Sequence, residues 1–300
     1  MAQRHDSHRL VAALSYRDHV ADSLDRVYDL GAGVRRDAAL ALASMPHADG
    51  LDVGAALVGA LADSSGEVRR AAASSLGVRG EHRAVQALSR GALTWDGLRY
   101  EAARAAAADA LVALAAAKTA QTFVSVAVQT NYEPARARDL LARLIAGGGG
   151  QSARAASAAA TAALCSGERD VCERAVEVLA WLGADSVGPL LSIAGRPGEA
   201  RVPAIRALSR LRDLRSAESL LRLLADDDPN VRCAAAGALG ELSDPRVAPR
   251  LLEAATDSDH RVREAALEAV HKLRPIAVAA DDDGAAQHAV RLASRTGLRG

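Results

Sequence analysis

The residues whose types could do chemistry are few and scattered. His5 and His8 form an H-x-x-H pair, but no Glu and no third ligand stand with them, so no metal site is expected there. Asp281, Asp282 and Asp283 gather three carboxylates as a cation loop would. They lack the alternating ligands and closing Glu of a calcium hand, and read as a solvated loop that also caps a helix N-terminus. Cys165, Cys172 and Cys233 never occur as C-x-x-C, which argues against zinc and against a disulfide framework; they read as small buried hydrophobes in a reducing compartment. Trp95-Asp96 with Tyr100 brings an aromatic face and a carboxylate together. No phosphate-binding loop, dinucleotide fingerprint, nucleophile elbow or H-E-x-x-H occurs. The expectation is therefore no catalytic residues, no cofactor and no metal.

The remaining chemistry belongs to arginine. Lys118 and Lys272 are the two lysines, and every other cation is Arg, a bias that a GC-rich coding sequence accounts for. With 37 basic and 37 acidic residues the net charge is zero, which disfavours nucleic acid as a whole-chain partner. Half of the residues are apolar, mostly Ala, Leu and Val, with one Phe, two Trp and four Tyr. Strands favour β-branched and aromatic residues, whereas Ala, Leu and Arg lose little rotamer freedom in a helix; the chain reads as all-α. No uninterrupted apolar run is long enough to span a bilayer, and residues 1–9 have no signal-peptide core. A cytoplasmic location without membrane contact is expected.

The arginines are positioned by a repeat. Asp228-Pro229-Asn230-Val231-Arg232 leads Ala235, Leu239 and Gly240, and Asp259-His260-Arg261-Val262-Arg263 leads Ala266 and Val270. The same phrase recurs at 35, 69, 99, 136, 172, 201, 232 and 263, about thirty residues apart, with Cys172 in place of the Arg. Each unit makes sense as two helices. Asp or Ser caps helix A, Pro229 sits where its missing N–H is harmless, and Val231, Ala235, Leu239 and Leu242 form one stripe. A short turn then leads to helix B, with Val247, Leu251 and Leu252. Neither stripe can be buried by one pair alone, so neighbours must stack.

The phrase D-x-D-P-x-V-R-x-x-A-A-x-A-L-G resembles the HEAT-like repeat family of the phycobilisome-lyase type, best over 165–275, well over 31–93 and loosely over 94–164. The resemblance implies a right-handed α-solenoid of about eight helix pairs. It also implies a structural ladder of ion pairs between successive repeats. Matched to this sequence, the ladder arginines are Arg35, Arg69, Arg99, Arg201, Arg232 and Arg263, and the carboxylates are Asp63, Asp226 and Asp257, with a break at Cys172. Residues 1–30 show helical spacing (Leu10, Leu14, Val20, Leu24, Val27) and are expected to be N-terminal capping helices. The solenoid would occupy 31–296, with Pro275 closing a helix, a flexible point at 147–150 and a frayed tail at 297–300.

Such a stack implies a non-enzymatic protein-interaction scaffold. In HEAT-like stacks the B helices line the concave face, and here they carry Arg83, Arg90, Arg154, Arg215, Arg222, Arg246, Arg250, Arg291 and Arg295, against fewer acids (Asp52, Glu81, Asp185, Glu218, Glu253). The expected partner is another protein offering an acidic peptide or surface, whose carboxylates match the arginine forks. The alternative is a nucleic-acid-binding or DNA-glycosylase-like HEAT protein, a resemblance carried by Trp95 and Asp96. A phycobilin-lyase role would need a tetrapyrrole site that nothing besides the repeat suggests.

Overall fold

The computed structural model describes residues 2–17, 19–21, 27–29, 31–45 and 51–279. The chain forms two compact units, Met1–Ala159 and Ala160–Gly300. In the first, α1 (Ala2–Ala13) is followed by strands β1 (His19–Ala21) and β2 (Val27–Asp29), then by helices α2 (Ala32–Leu42), α3 (Val53–Ala60), α4 (Gly66–Val78), α5 (Val85–Thr94), α6 (Glu101–Ala113) and α7 (Ala117–Ala127). Helix α8 (Pro134–Ala163) crosses into the second unit and is kinked at Gly149, whose φ of 65° is costly for a residue with a Cβ. The second unit continues with α9 (Arg169–Leu182), α10 (Val187–Ala194), α11 (Arg201–Leu211), α12 (Ala217–Leu223), α13 (Pro229–Glu241), α14 (Ala248–Ala254) and α15 (His260–Ala279).

Helices alternate in role. The A helices α2, α4 and α6 pack side by side in the first unit, as do α9, α11, α13 and α15 in the second, and B helices such as α5, α10, α12 and α14 pack against them. Each A helix buries one stripe. In α13 it is Val231, Ala235, Ala238 and Leu239; in α6 it is Ala103, Ala107, Ala110 and Leu111. B helices answer with Leu57, Leu88, Leu190, Leu220 and Leu251, each fully buried. Alanine in these stripes lets backbones approach closely. A Cβ on Gly77 would lie 3.0 Å from the Cα of Ala110, and one on Gly240 would lie 2.8 Å from the Cα of Ala269. Helix starts are capped as the residue types dictate: Asp52 accepts from the Ala55 N–H at 2.9 Å, and Asp228 from the Asn230 N–H at 2.8 Å beside Pro229.

Two expectations are corrected. Residues 19–21 and 27–29 form an antiparallel pair, Val20 opposite Tyr28, where a second capping helix was expected. Val20, Val27 and Tyr28 are β-branched or aromatic, and their local preference is for a strand. Helix α15 runs through Pro275 to Ala279, since a proline can forfeit one backbone donor without ending a helix. The break expected near 147–150 falls at Gly149, where the helix kinks. The most apolar stretch, Arg169–Ala194, is long and apolar enough to cross a membrane. It is divided by a turn at Gly183–Ser186 and contributes Val171, Ala175, Leu179, Leu190 and Ala194 to the core. The tail 297–300 lies outside the described residues.

Candidate functional site

The sharpest chemistry in the fold is the arginine ladder, and its geometry repeats. Where the ladder is complete, an arginine reaches back to a main-chain carbonyl at the end of the preceding B segment and forward to a carboxylate at the end of its own B helix. Arg232 donates back to Asp226 O at 2.8 Å, and forward through Nε and Nη2 to Asp257 at 2.8 and 2.9 Å. Arg201 donates back to Ala194 O at 3.1 Å, and forward with a two-point fork to Asp226. Arg263 makes the backward bonds, to Asp257 O at 2.9 Å and Ser258 O at 3.0 Å. The carboxylates work twice: Asp63, Asp226 and Asp257 also accept the N–H two residues on, which shapes the turn into the next A helix. Forks of this kind hold the Asp226 and Asp257 carboxyls below the usual range, while the arginines are raised.

Arg35 is the most demanding member, being fully buried. Asp63 takes its Nε and Nη2 at 2.8 and 2.9 Å, Asp29 receives a second fork, and Tyr16 O accepts from Nη1 at 3.0 Å. Burial pushes the Asp63 carboxyl up, but the Arg35 fork, the Ser65 N–H and nearby Arg17 outweigh it and the net shift is downward. Asp29 was missed in the sequence because it lies outside the repeat phrase, on strand β2.

The ladder changes chemistry in three places. Arg69 makes the backward bond to Asp63 O, but its forward partner is aromatic: its guanidinium lies 5.3 Å from the Trp95 ring and 4.3 Å from the Tyr100 ring. Trp95 stands where other repeats have the ladder Asp, seated on Gly91, where a Cβ would lie 2.7 Å from its ring. Arg104, not Arg99, occupies the next ladder place: Arg104 donates to Trp95 O at 2.8 Å, and Ala103 is the core residue before it. Arg99 is exposed and lies 4.7 Å from the Tyr100 ring. At Cys172 only the backward contact survives, Sγ to Leu164 O at 3.4 Å. The position that would supply the carboxylate is Arg196, six residues after the buried Leu190, as Asp63, Asp226 and Asp257 follow the buried Leu57, Leu220 and Leu251 by six. Arginine and aspartate are lost together. The aromatic cluster thus belongs to the stack, and Asp96 is exposed, 3.9 Å from Arg136.

The B-segment arginines occupy a different environment from the one their count suggested. Arg83 pairs with Asp52 and Glu81, Arg215 with Asp213, Arg222 with Glu218, Arg246 with Asp244 and Arg250 with Glu253. In Asp213-Leu214-Arg215 and Asp244-Pro245-Arg246 the carboxylate accepts both the backbone N–H and the guanidinium of the arginine two residues on. The same unit at Asp259-His260-Arg261 draws the Asp259 carboxyl down to about 2, through the Arg261 side chain and N–H. These loop aspartates neutralise the arginines that follow them. Arg90 and Arg154 are exposed and make no ion pair among the described residues. Arg291 and Arg295, like Asp281 to Asp283, lie outside the described residues, as does the side chain of His5. Among the described residues no group of three His, Cys, Asp or Glu is placed to hold a metal ion.

Stacked helix pairs joined by a repeating internal ladder define an α-solenoid of short helical repeats. A family model described as HEAT repeats matches residues 24–107 and 189–271, more than half of the chain, and the chain belongs to that family. No curated protein matches the chain significantly. Solved structures with a similar fold include human deoxyhypusine hydroxylase in complex with glycerol, 19% identical over 91% of this chain and 97% of that one, with a TM-score of 0.34. The complex of CpcE and CpcF of phycocyanin lyase from Nostoc sp. PCC7120 is 21% identical over 84% of this chain and 96% of that one, with a TM-score of 0.32. Kap121p is 15% identical over 90% of this chain and 33% of its own length, with a TM-score of 0.47.

Proposed function

We propose that the chain is a non-enzymatic interaction scaffold of the cytoplasm that binds another protein through acidic segments of that partner. HEAT stacks commonly serve as protein-binding surfaces, because a repeated array exposes long rows of side chains on a rigid frame. The observation that carries the acidic preference is the division of the arginines. Ladder arginines are consumed by the stack, and most B-segment arginines by nearby carboxylates. Arg90 on α5 and Arg154 on α8 remain exposed and, among the described residues, without a carboxylate, as charge-assisted donors open to a partner.

Affinity capture with the full chain in its native host, followed by identification of what co-elutes, supplies candidate partners. The decisive step is binding of acidic segments from those partners. Arg90→Glu with Arg154→Glu should weaken that binding and flatten its salt dependence. Partners bound without acidic segments, or binding indifferent to salt, would refute the acidic preference. Labelled DNA shifted at low salt with higher affinity than any partner segment would favour the nucleic-acid alternative instead.

A further inference from the structure

Two open grooves lie between neighbouring A helices, one within each unit. They have comparable volumes, about 530 Å³ between α4 and α6 and about 480 Å³ between α11 and α13. The two are built at equivalent repeat positions. Arg206 and Arg210 stand six and ten residues after the core residue Ala200, where Ser74 and Val78 stand six and ten after Val68. One backbone concavity therefore carries two chemistries. Between α4 and α6 it is lined largely by alanine and Val78. Between α11 and α13 it is lined by three arginines and no carboxylate.

The charges around the second groove are not all spent. Arg206 is exposed and makes no ion pair among the described residues. Arg210 has Glu177 of α9 only at 4.0 Å, with both side chains well solvated. Arg261, at the start of α15, is held by Asp259 at 3.0 Å and donates to Asn230 Oδ1 at 3.0 Å on the groove rim. The floor is apolar and shallow: Val202, Ala234 and Ala238, with Cys233 half-buried beside them. A Cβ added to Gly237 would meet nothing within 4 Å, so the floor is open above it.

We infer that the groove between α11 and α13 is a docking site for an acidic peptide segment of a partner protein. The segment would lay small apolar side chains on the Ala234–Ala238 floor and place carboxylates on Arg206 and Arg210. An inorganic anion would leave the apolar floor uncovered, and a peptide alternating the two chemistries covers both. The inference rests on the acidic-partner reading above and gives it a location on the A helices, separate from Arg90 and Arg154.

The test uses the full chain and a fluorescent peptide of alternating Glu and Leu, followed by anisotropy at low and moderate salt. Wild-type chain should bind it, and Arg206→Glu with Arg210→Glu should weaken binding about tenfold or more, as expected for two lost charge-assisted contacts. Arg169→Glu with Arg196→Glu, on the same unit but away from the groove, should leave binding unchanged. Matching thermal melts establish that each variant is folded. Saturating peptide should also slow alkylation of Cys233 while leaving that of exposed Cys165 unaltered. Loss of binding in the Arg90/Arg154 variant alone, with the groove variant unaffected, would overturn the groove and leave the scaffold reading standing. A labelled oligonucleotide that outcompetes the peptide and depends on Arg206 and Arg210 would show a polyanion site and overturn the peptide assignment. Absence of any peptide binding by the wild-type chain would overturn both the groove and the acidic preference.

Discussion

At the scale of single residues, cost follows burial. Arg35 is enclosed by two carboxylates and a carbonyl, so Arg35→Ala leaves the buried Asp63 without its fork, with Arg17 at 3.5 Å as its remaining cation among the described residues. The expected loss is about 3–5 kcal/mol, as for other broken buried pairs. Arg232 and Asp257 are each 13% exposed at the side chain, so Arg232→Ala should cost less, about 1–3 kcal/mol. Urea melts compare the two, and equal losses would show that the Arg35 cage is solvated in solution. The same carboxylates set the acid response. Asp63, Asp226 and Asp257 have folded-state values below their unfolded ones, so their contribution is present above the ordinary aspartate range, near pH 4, and is lost as pH falls through the lowered values. Stability measured from pH 7 downward should hold to about pH 4 and then decline. In Asp226→Asn with Asp257→Asn that decline should be shallower; an unchanged acid limb would place the titrating groups elsewhere.

At the scale of elements, the interface between A helices is set by small residues. Gly237 and Gly240 lie on the same helix and differ in what faces them. Gly240→Ala brings a Cβ to 2.8 Å from both Cα and Cβ of Ala269, and neither of these atoms can swing away. The helix-propensity gain of about 0.5–1 kcal/mol is then exceeded by overpacking of about 1–3 kcal/mol. Gly237→Ala has open space and should keep the gain. Thermal melts of the two variants should therefore move in opposite directions, and a stabilised Gly240→Ala would mean that α13 and α15 sit further apart. Much of this level was legible in the sequence. Alanine at fixed offsets from the Val-Arg phrase marked the stripes, and Asp63, Asp226 and Asp257 fall at the forward ladder position. The failure at Arg99 is instructive. Leu98-Arg99 imitates the Val-Arg phrase, but the helix begins at Glu101 and uses Ala103-Arg104, because an alanine serves where the phrase expects valine. Trp95 could not be recognised as a ladder residue, since an aromatic replaces the carboxylate by a different interaction with the same guanidinium. The pairing of Arg215 and Arg246 was hidden because it depends on turn geometry two residues apart, which helical spacing does not reveal.

At the scale of the whole molecule, a repeat protein's stability is a sum of terms within repeats and terms between neighbours. The backward bonds of the ladder are neighbour terms, while each forward fork ties an A helix to its own B helix, and that fork lapses where Cys172 and Arg196 replace its two partners. Among the described residues no ion pair joins α9 to α10; Cys172 keeps the backward contact to Leu164 O, and between repeats Arg210 lies 4.0 Å from Glu177. Restoring both partners should strengthen that one junction. Cys172→Arg alone places a guanidinium without its carboxylate, and Arg196→Asp alone sets a carboxylate without its guanidinium, so each single variant should be neutral or destabilising. The double variant should exceed the sum of the singles by about 0.5–3 kcal/mol, the range found for residues in direct contact. Amide exchange locates the effect: added protection should concentrate in α9, α10 and the start of α11, with little change in α4 or α6. If the coupling is zero while both single variants fold, residue 196 does not lie within reach of residue 172, and the gap in the ladder is one of geometry as well as of charge.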